Sequence, residues 1–308
     1  MVNNEEQDSF KITLNYQNII QASEYNLPEK LIAISDIEGN FNGFSSFLQI
    51  NNIIDSNLNW KFGDGHLVLV GDFVDRGENV IPTLWLIYRL EREAEKEGGK
   101  VHFIIGNHEV MNMEGNFHYA KDKYKKLAVE IGNKEENRSN YKILFSNNSH
   151  LGKWLRSKNA IEKIGDYIFV HAGLSPKILP LNLEINEINQ LVRNNIDRNL
   201  NRNQNDDEKV NFIMGAEGPF WYRGLRTNKK NYDKINEAQF IEILKRYNAQ
   251  KIIIGHSIVD DISYDLGKRI IRIDVKHGKT KSSGKTKGLL IEEGQEFKID
   301  DLGNKSKL

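Results

Sequence analysis

LVLVGDFVDRG, from Leu67 to Gly77, decides how this chain is read. Leu67 to Val70 predict a fully buried strand. At Gly71 the chain turns sharply and presents Asp72, Asp75 and Arg76 within five residues. A short loop at the C-terminal end of a strand is where open α/β architectures place their chemistry. Two carboxylates and a guanidinium are too costly to bury together unless something multiply charged sits among them. The loop therefore points to a metal and a phosphate.

The same grammar recurs on both sides. Upstream, LIAIS from Leu31 reads as a central buried strand ending in Asp36-Ile37-Glu38-Gly39-Asn40, followed by an apolar-periodic helix from Phe41 to Ile50. Asp36 and Glu38 lie two apart, so in an extended segment both carboxylates point to one side, as a cation requires. Downstream, Ile81, Leu84, Trp85 and Tyr88 predict a helix that fades into a charged run closed by Gly98 and Gly99. Val101 to Ile105 then runs into Gly106-Asn107-His108-Glu109, Tyr167 to Val170 into His171, and Lys251 to Ile254 into Gly255-His256. Strand after strand ends in a ligand-type side chain.

The rest of the chain sets limits. Residues 1–30 read as a polar N-terminal extension, in which Phe10, Ile12, Leu14 and Tyr16 alternate as an edge strand or hairpin would. Residues 31–300 are assigned to the catalytic domain, with 181–215 as a helical insertion and 301–308 as a tail. The Gly278–Gly288 loop lacks phosphate-loop spacing and reads as a mobile hairpin tip. His66, His102, His118, His150 and His277 are read as structural or surface residues. The 43 basic residues balance the 43 acidic ones, so no nucleic acid is required as a partner. There is no cysteine, which excludes thiolate chemistry and leaves oxygen and imidazole nitrogen as metal donors. No run approaches the roughly 18 apolar residues of a membrane span. The expectation is a soluble cytoplasmic protein with no membrane partner.

Asp36, Glu38, Asp72, Asn107, His171 and His256 make a donor set for two divalent ions about 3.5–4 Å apart, bridged by Asp72. Mn is the first choice, with Fe, Zn or Mg as alternatives. Such a pair can lower the pKa of bound water to about 7, giving a hydroxide for in-line attack on phosphorus. Arg76 and Arg223, the latter within GPFWYRG, would clamp the phosphoryl oxygens beside Asn107 and His108. His108 is placed to protonate the leaving oxygen, with Asp75 orienting it and raising its pKa.

DIEG, GDFVDRG, GNHE, HAGLSP and GH, in this order over about residues 31–275, strongly resemble the phosphoprotein phosphatase branch of the calcineurin-like metallophosphoesterases. GNHEVMNMEGNFHY (Gly106–Tyr119) and GPFWYRG narrow the resemblance to the Shewanella-like phosphatase group. The resemblance implies an α/β (α+β) fold with a two-sheet β-sandwich core flanked by helices. It also implies a phosphomonoesterase acting on a phosphorylated protein or a small phosphate ester. One departure stands out, for Glu38 occupies the place of the histidine in the family's Asp-x-His motif. Two rival readings are a dinucleoside polyphosphate hydrolase and a phospho-ligand binding protein with reduced turnover. The retained His108 and Asp75 argue against the second, because a binder needs no general acid.

Overall fold

The computed structural model describes residues 1–4, 8–15, 19–132, 138–197, 207–225 and 234–308. Among these, two six-stranded sheets face each other. The first runs, in spatial order, Lys305–Lys307, Gln295–Asp300, Lys287–Glu292, Lys30–Ile34, His66–Val70 and Lys100–Ile104, and its last three strands are mutually parallel. The second runs Ser263–Asp265, Ile270–Arg272, Lys251–Ile254, Tyr167–Val170, Ile161–Ile164 and Glu24–Tyr25. Within it, Ile270–Arg272, Lys251–Ile254 and Tyr167–Val170 are parallel.

The parallel strands are mostly apolar because both of their faces are covered, with polar residues such as Lys30, His66, Lys100, Lys251 and Arg272 at strand ends and His102 paired to Glu162. Alternate side chains take opposite sides. Leu31, Ala33, Val68, Val70, Ile104 and Leu289 of the first sheet meet Phe169, Ile253 and Ile271 of the second between the sheets. Ile32, Ile34, Leu67, Leu69 and Phe103 face outward into a second core with Phe44, Phe47, Leu84 and Ile87. The last four come from the helices Phe41–Ile50 and Val80–Lys96, both foreseen from periodicity. Asn40 starts the first helix by accepting a hydrogen bond from Gly43 N–H (3.1 Å) on its side-chain oxygen. Each such fully buried side chain contributes roughly 1.5–3 kcal/mol relative to exposure, so the strand ends stand on a rigid base.

The 181–215 stretch carries the helices Ile185–Asn195 and Glu208–Met214, while residues 198–206 lie outside the described segments. The Phe10–Tyr16 alternation gives only the two-residue strand Ser9–Phe10, paired with Val2–Asn3, and Tyr16 lies outside the described residues. Glu24–Tyr25 adds an edge to the second sheet, and the tail strand Lys305–Lys307 adds one to the first. The Gly278–Gly288 loop is not a hairpin tip. Its flanking strands belong to different sheets, and it is pinned by Ser282 N–H to Ser46 Oγ (2.8 Å) and Ser283 N–H to Asp301 Oδ2 (2.8 Å). No helix among the described residues is long and apolar enough to cross a membrane.

Candidate metal centre

Three parallel strands from each sheet end at one edge of the sandwich. Lys30–Ile34 leads into Ser35-Asp36, His66–Val70 into Gly71-Asp72, and Lys100–Ile104 through Ile105 into Gly106-Asn107. From the other sheet, Tyr167–Val170 leads into His171, Lys251–Ile254 into Gly255-His256, and Ile270–Arg272 into Ile273-Asp274. Asp72, His171 and His256 are all buried, and one donor atom from each lies within 4.8 Å of the others. His171 Nε2 stands 3.1 Å from Asp72 Oδ2 and 3.0 Å from Asn107 Oδ1. Its Nδ1 sits 2.9 Å from the Val70 carbonyl, which turns Nε2 into the site.

The loops that carry these groups are held by backbone. Asp36 N–H donates to Gly71 O, Glu38 N–H to Asp72 O and Gly39 N–H to Phe73 O, each at 2.9 Å. The strained backbone follows the chemistry: Asp36, Glu38, Asp72, Asp75, Arg76 and His256 all have φ between 50° and 70°. Outside glycine, such conformations cost roughly 1–3 kcal/mol each and persist only where the surroundings impose them. The left-handed geometry also changes the expected Asp36–Glu38 relation. The segment is not extended, and the two carboxylates go different ways. Asp36 Oδ2 accepts the His256 N–H at 3.1 Å, whereas the Glu38 carboxylate pairs with the Arg76 guanidinium.

The electrostatics are those of a crowded buried cluster. Burial, Asp274 and Asp72 push Asp36 well above the usual carboxylate range. Asp72 goes the other way, because the charges of His171 and His108 outweigh its burial and hold it well below that range. His171 rises to about 10, the attraction of Asp72 and Asp36 overcoming burial. His256 is lowered by burial and by His171 and Arg223, and its buried Nε2 has no hydrogen-bond partner. A neutral imidazole with an unpartnered nitrogen beside clustered carboxylates fits a divalent cation. Glycine keeps the cradle open, since a Cβ at Gly255 would strike Asp36 Oδ2 and one at Gly106 would strike Asp72 Oδ1.

His108 lies against this cluster. Its N–H donates to Asp72 Oδ1 (2.9 Å), its Nδ1 meets Asp75 Oδ2 at 2.6 Å, and its Nε2 stands 3.8 Å from Asp72 Oδ2. Burial opposes charge on the ring, but Asp72 and Asp75 outweigh it and raise His108 above its ordinary value. Arg76 lies over the Tyr119 ring, 5.0 Å from its centroid. Arg223 Nη1 donates to the His256 carbonyl (3.0 Å) and to Ser257 Oγ (2.8 Å), which places it on the His256 loop.

Sequence reasoning missed three buried or flanking groups. Asp274 follows the strand-like stretch Ile270–Ile273, apolar apart from Arg272, a weaker form of the strand-then-aspartate signal that exposed Asp36 and Asp72. Glu109, fully buried, accepts N–H bonds from Gly106 (2.7 Å), Asp72 (2.9 Å) and Phe73 (2.8 Å), tying two site loops together. Tyr119 packs on Arg76 and lies 5.1 Å from the His108 ring centroid, a placement with no local signal. The remaining histidines lie outside the cluster. His66 and His102 form a chain with Glu162, His150 packs on Trp85 and Tyr88, and His118 packs on Tyr119. His277 Nε2 donates to the Ser35 carbonyl at 2.8 Å.

Two facing sheets whose parallel strands deliver carboxylates, an amide and imidazoles to one edge, with a histidine–aspartate pair alongside, define a metal-dependent phosphoesterase. Residues 29–260 match the calcineurin-like phosphoesterase family model, and the chain belongs to that family. It is therefore a hydrolase of phosphate esters. It is 27% identical over 306 residues to Shewanella-like protein phosphatase 2 of Arabidopsis thaliana, covering 87% of this chain and 76% of that one. It is 30% identical over 250 residues to Shewanella-like protein phosphatase 1 of Plasmodium berghei (strain Anka), covering 81% and 66% respectively. The crystal structure of a cold-active protein-tyrosine phosphatase of a psychrophilic Shewanella sp. superposes with a TM-score of 0.86 at 30% identity, covering all of this chain and 89% of that one.

Proposed function

We propose that this chain is a phosphoprotein phosphatase working with two divalent ions, Mn²⁺ first among them. The observation that carries the reading is the convergence of six parallel strand ends around Asp72, with the His108–Asp75 pair in contact with the same aspartate. Asp36, Asp72, Asn107, His171 and His256 would hold the ions. When bound, such ions supply an acidified water and positive charge against the phosphoryl oxygens. Glu38 is left out of this set because its carboxylate is on Arg76.

The chain's own groups do the rest. His108 holds a proton on Nε2 for the leaving oxygen, and Asp75 Oδ2 keeps the Nδ1–H in place and the ring charged. Arg76, Arg223 and Asn107 offer donors to the phosphoryl group. Phosphotyrosine is the first substrate to test, because the similar Shewanella structure is that of a protein-tyrosine phosphatase. The test measures phosphate release from phosphotyrosine, phosphoserine and phosphothreonine peptides and from diadenosine tetraphosphate, with Mn²⁺ and after chelation. Metal-dependent release from a phosphopeptide, with the dinucleotide cleaved at least tenfold more slowly, is the expected result. Preference for the dinucleotide would overturn the substrate assignment, and undiminished turnover after chelation would overturn the mechanism.

A further inference from the structure

We propose that Glu38 is an internal competitor of the substrate phosphate for Arg76, so that it sets how tightly the site holds phosphate. This rests on reading the site as a phosphatase centre. The Glu38 carboxylate meets the Arg76 guanidinium at the edge of the metal cluster. Arg76 is the cation that the GDFVDRG loop delivers beside Asp75 and Asp72, so a carboxylate on it occupies donors that a phosphoryl group would use.

The pairing is built in by the backbone of both loops. Glu38 and Arg76 are both left-handed, with φ of 50° and 53°. The Glu38 loop is hydrogen-bonded to the Asp72–Phe73 backbone, and a Cβ at Gly77 would strike the Glu38 carbonyl, so the loops meet without side chains between them. On its other side Arg76 is fixed by its N–H to the Tyr119 carbonyl (3.0 Å) and by the Tyr119 ring beneath its guanidinium. The carboxylate and guanidinium side chains keep 26% and 46% of their surface exposed, so the pair stands at the mouth of the site where a phosphate enters. An incoming phosphate must displace Glu38, and Glu38 returns to Arg76 when phosphate leaves. The carboxylate thereby weakens product retention at the cost of substrate affinity.

The experiment is a double-mutant cycle on inorganic phosphate affinity, measured by calorimetry on the Mn²⁺-loaded and metal-free full chain. Wild type, Glu38→Gln, Arg76→Ala and the double variant are compared, with metal content recorded for each. Glu38→Gln should bind phosphate about fivefold more tightly, the scale of a partly exposed ion pair, and the gain should vanish in the Arg76→Ala background. An equal gain without Arg76, or no gain at all in Glu38→Gln, would overturn the proposal. Loss of bound Mn²⁺ in Glu38→Gln would also overturn it, by making Glu38 a metal ligand. If wild type neither binds phosphate nor hydrolyses any phosphate ester, the phosphatase reading itself fails. If wild type does both and the Glu38 cycle shows no coupling, only the role of Glu38 falls.

Discussion

Glu109→Gln tests whether one buried carboxylate holds the site loops in register. Oε2 of Glu109 accepts from Asp72 N–H and Gly106 N–H, and Oε1 accepts from Phe73 N–H. A glutamine keeps one oxygen, so its best placement preserves two bonds and turns its amide NH₂ against the Phe73 N–H. Leaving that buried donor unmet costs about 1–3 kcal/mol, and losing charge assistance costs about 1 kcal/mol for each remaining bond. Relief partly offsets this, because burial and Asp72 already push the Glu109 carboxyl above its usual range. The net expectation is a loss of roughly 2–4 kcal/mol, or a Tm about 4–8 °C lower for a chain of this size. Asp72 should shift with its loop and Mn²⁺ affinity fall about 10–100-fold, the usual effect of losing a group that orients metal ligands. Thermal unfolding of the metal-free protein and Mn²⁺ calorimetry measure the two effects separately. A Tm within a degree of wild type together with unchanged Mn²⁺ affinity would refute the claim that Glu109 ties the loops.

Four other outcomes follow from the same geometry. His108→Asn should keep its metals and lose turnover by roughly 10²–10⁴-fold, and loss of the metals instead would reassign His108. Because the charged form of His108 is favoured in the fold, the alkaline fall of kcat/KM should lie above the ordinary imidazole range and move to lower pH in Asp75→Asn, whereas an unmoved limb would separate Asp75 from the proton. Metal uptake should release at least one proton at neutral pH, since His171 is raised to about 10 without an ion. The charge on His171 stabilises the metal-free fold fully below its ordinary value of 6.5 and is lost as pH rises through about 10, so the Tm gap between Mn²⁺-loaded and chelated protein should widen from pH 6 to 9. A gap that narrows would contradict this.

The sequence by itself determined the strands, their ends and most of the polar side chains that gather there. Buried parallel strands are continuous apolar runs, and a polar residue can follow such a run only where the chain leaves the core, so LIAIS, LVLV, VHFII, YIFV and KIII announce their own termini. Asp36, Asp72, Asn107, His171 and His256 could be named from that rule, and His108 and Asp75 from the loops they share. Directions beyond the strand ends were decided by tertiary structure. Whether Asp36 and Glu38 point together depends on φ at each residue, and the left-handed turn imposed by hydrogen bonds to the Gly71–Phe73 backbone sends them apart. The Gly278–Gly288 loop resembles a hairpin tip locally, yet it crosses between sheets, because strand partners are chosen by contacts far away in sequence. Glu109 reads as one more polar residue of the loop after Val101–Ile105 until the Asp72 loop, more than 30 residues away, supplies two of its three donors. Residue type and hydrophobic run length are local properties, whereas the partner of a buried charge is fixed only when strands distant in sequence come together.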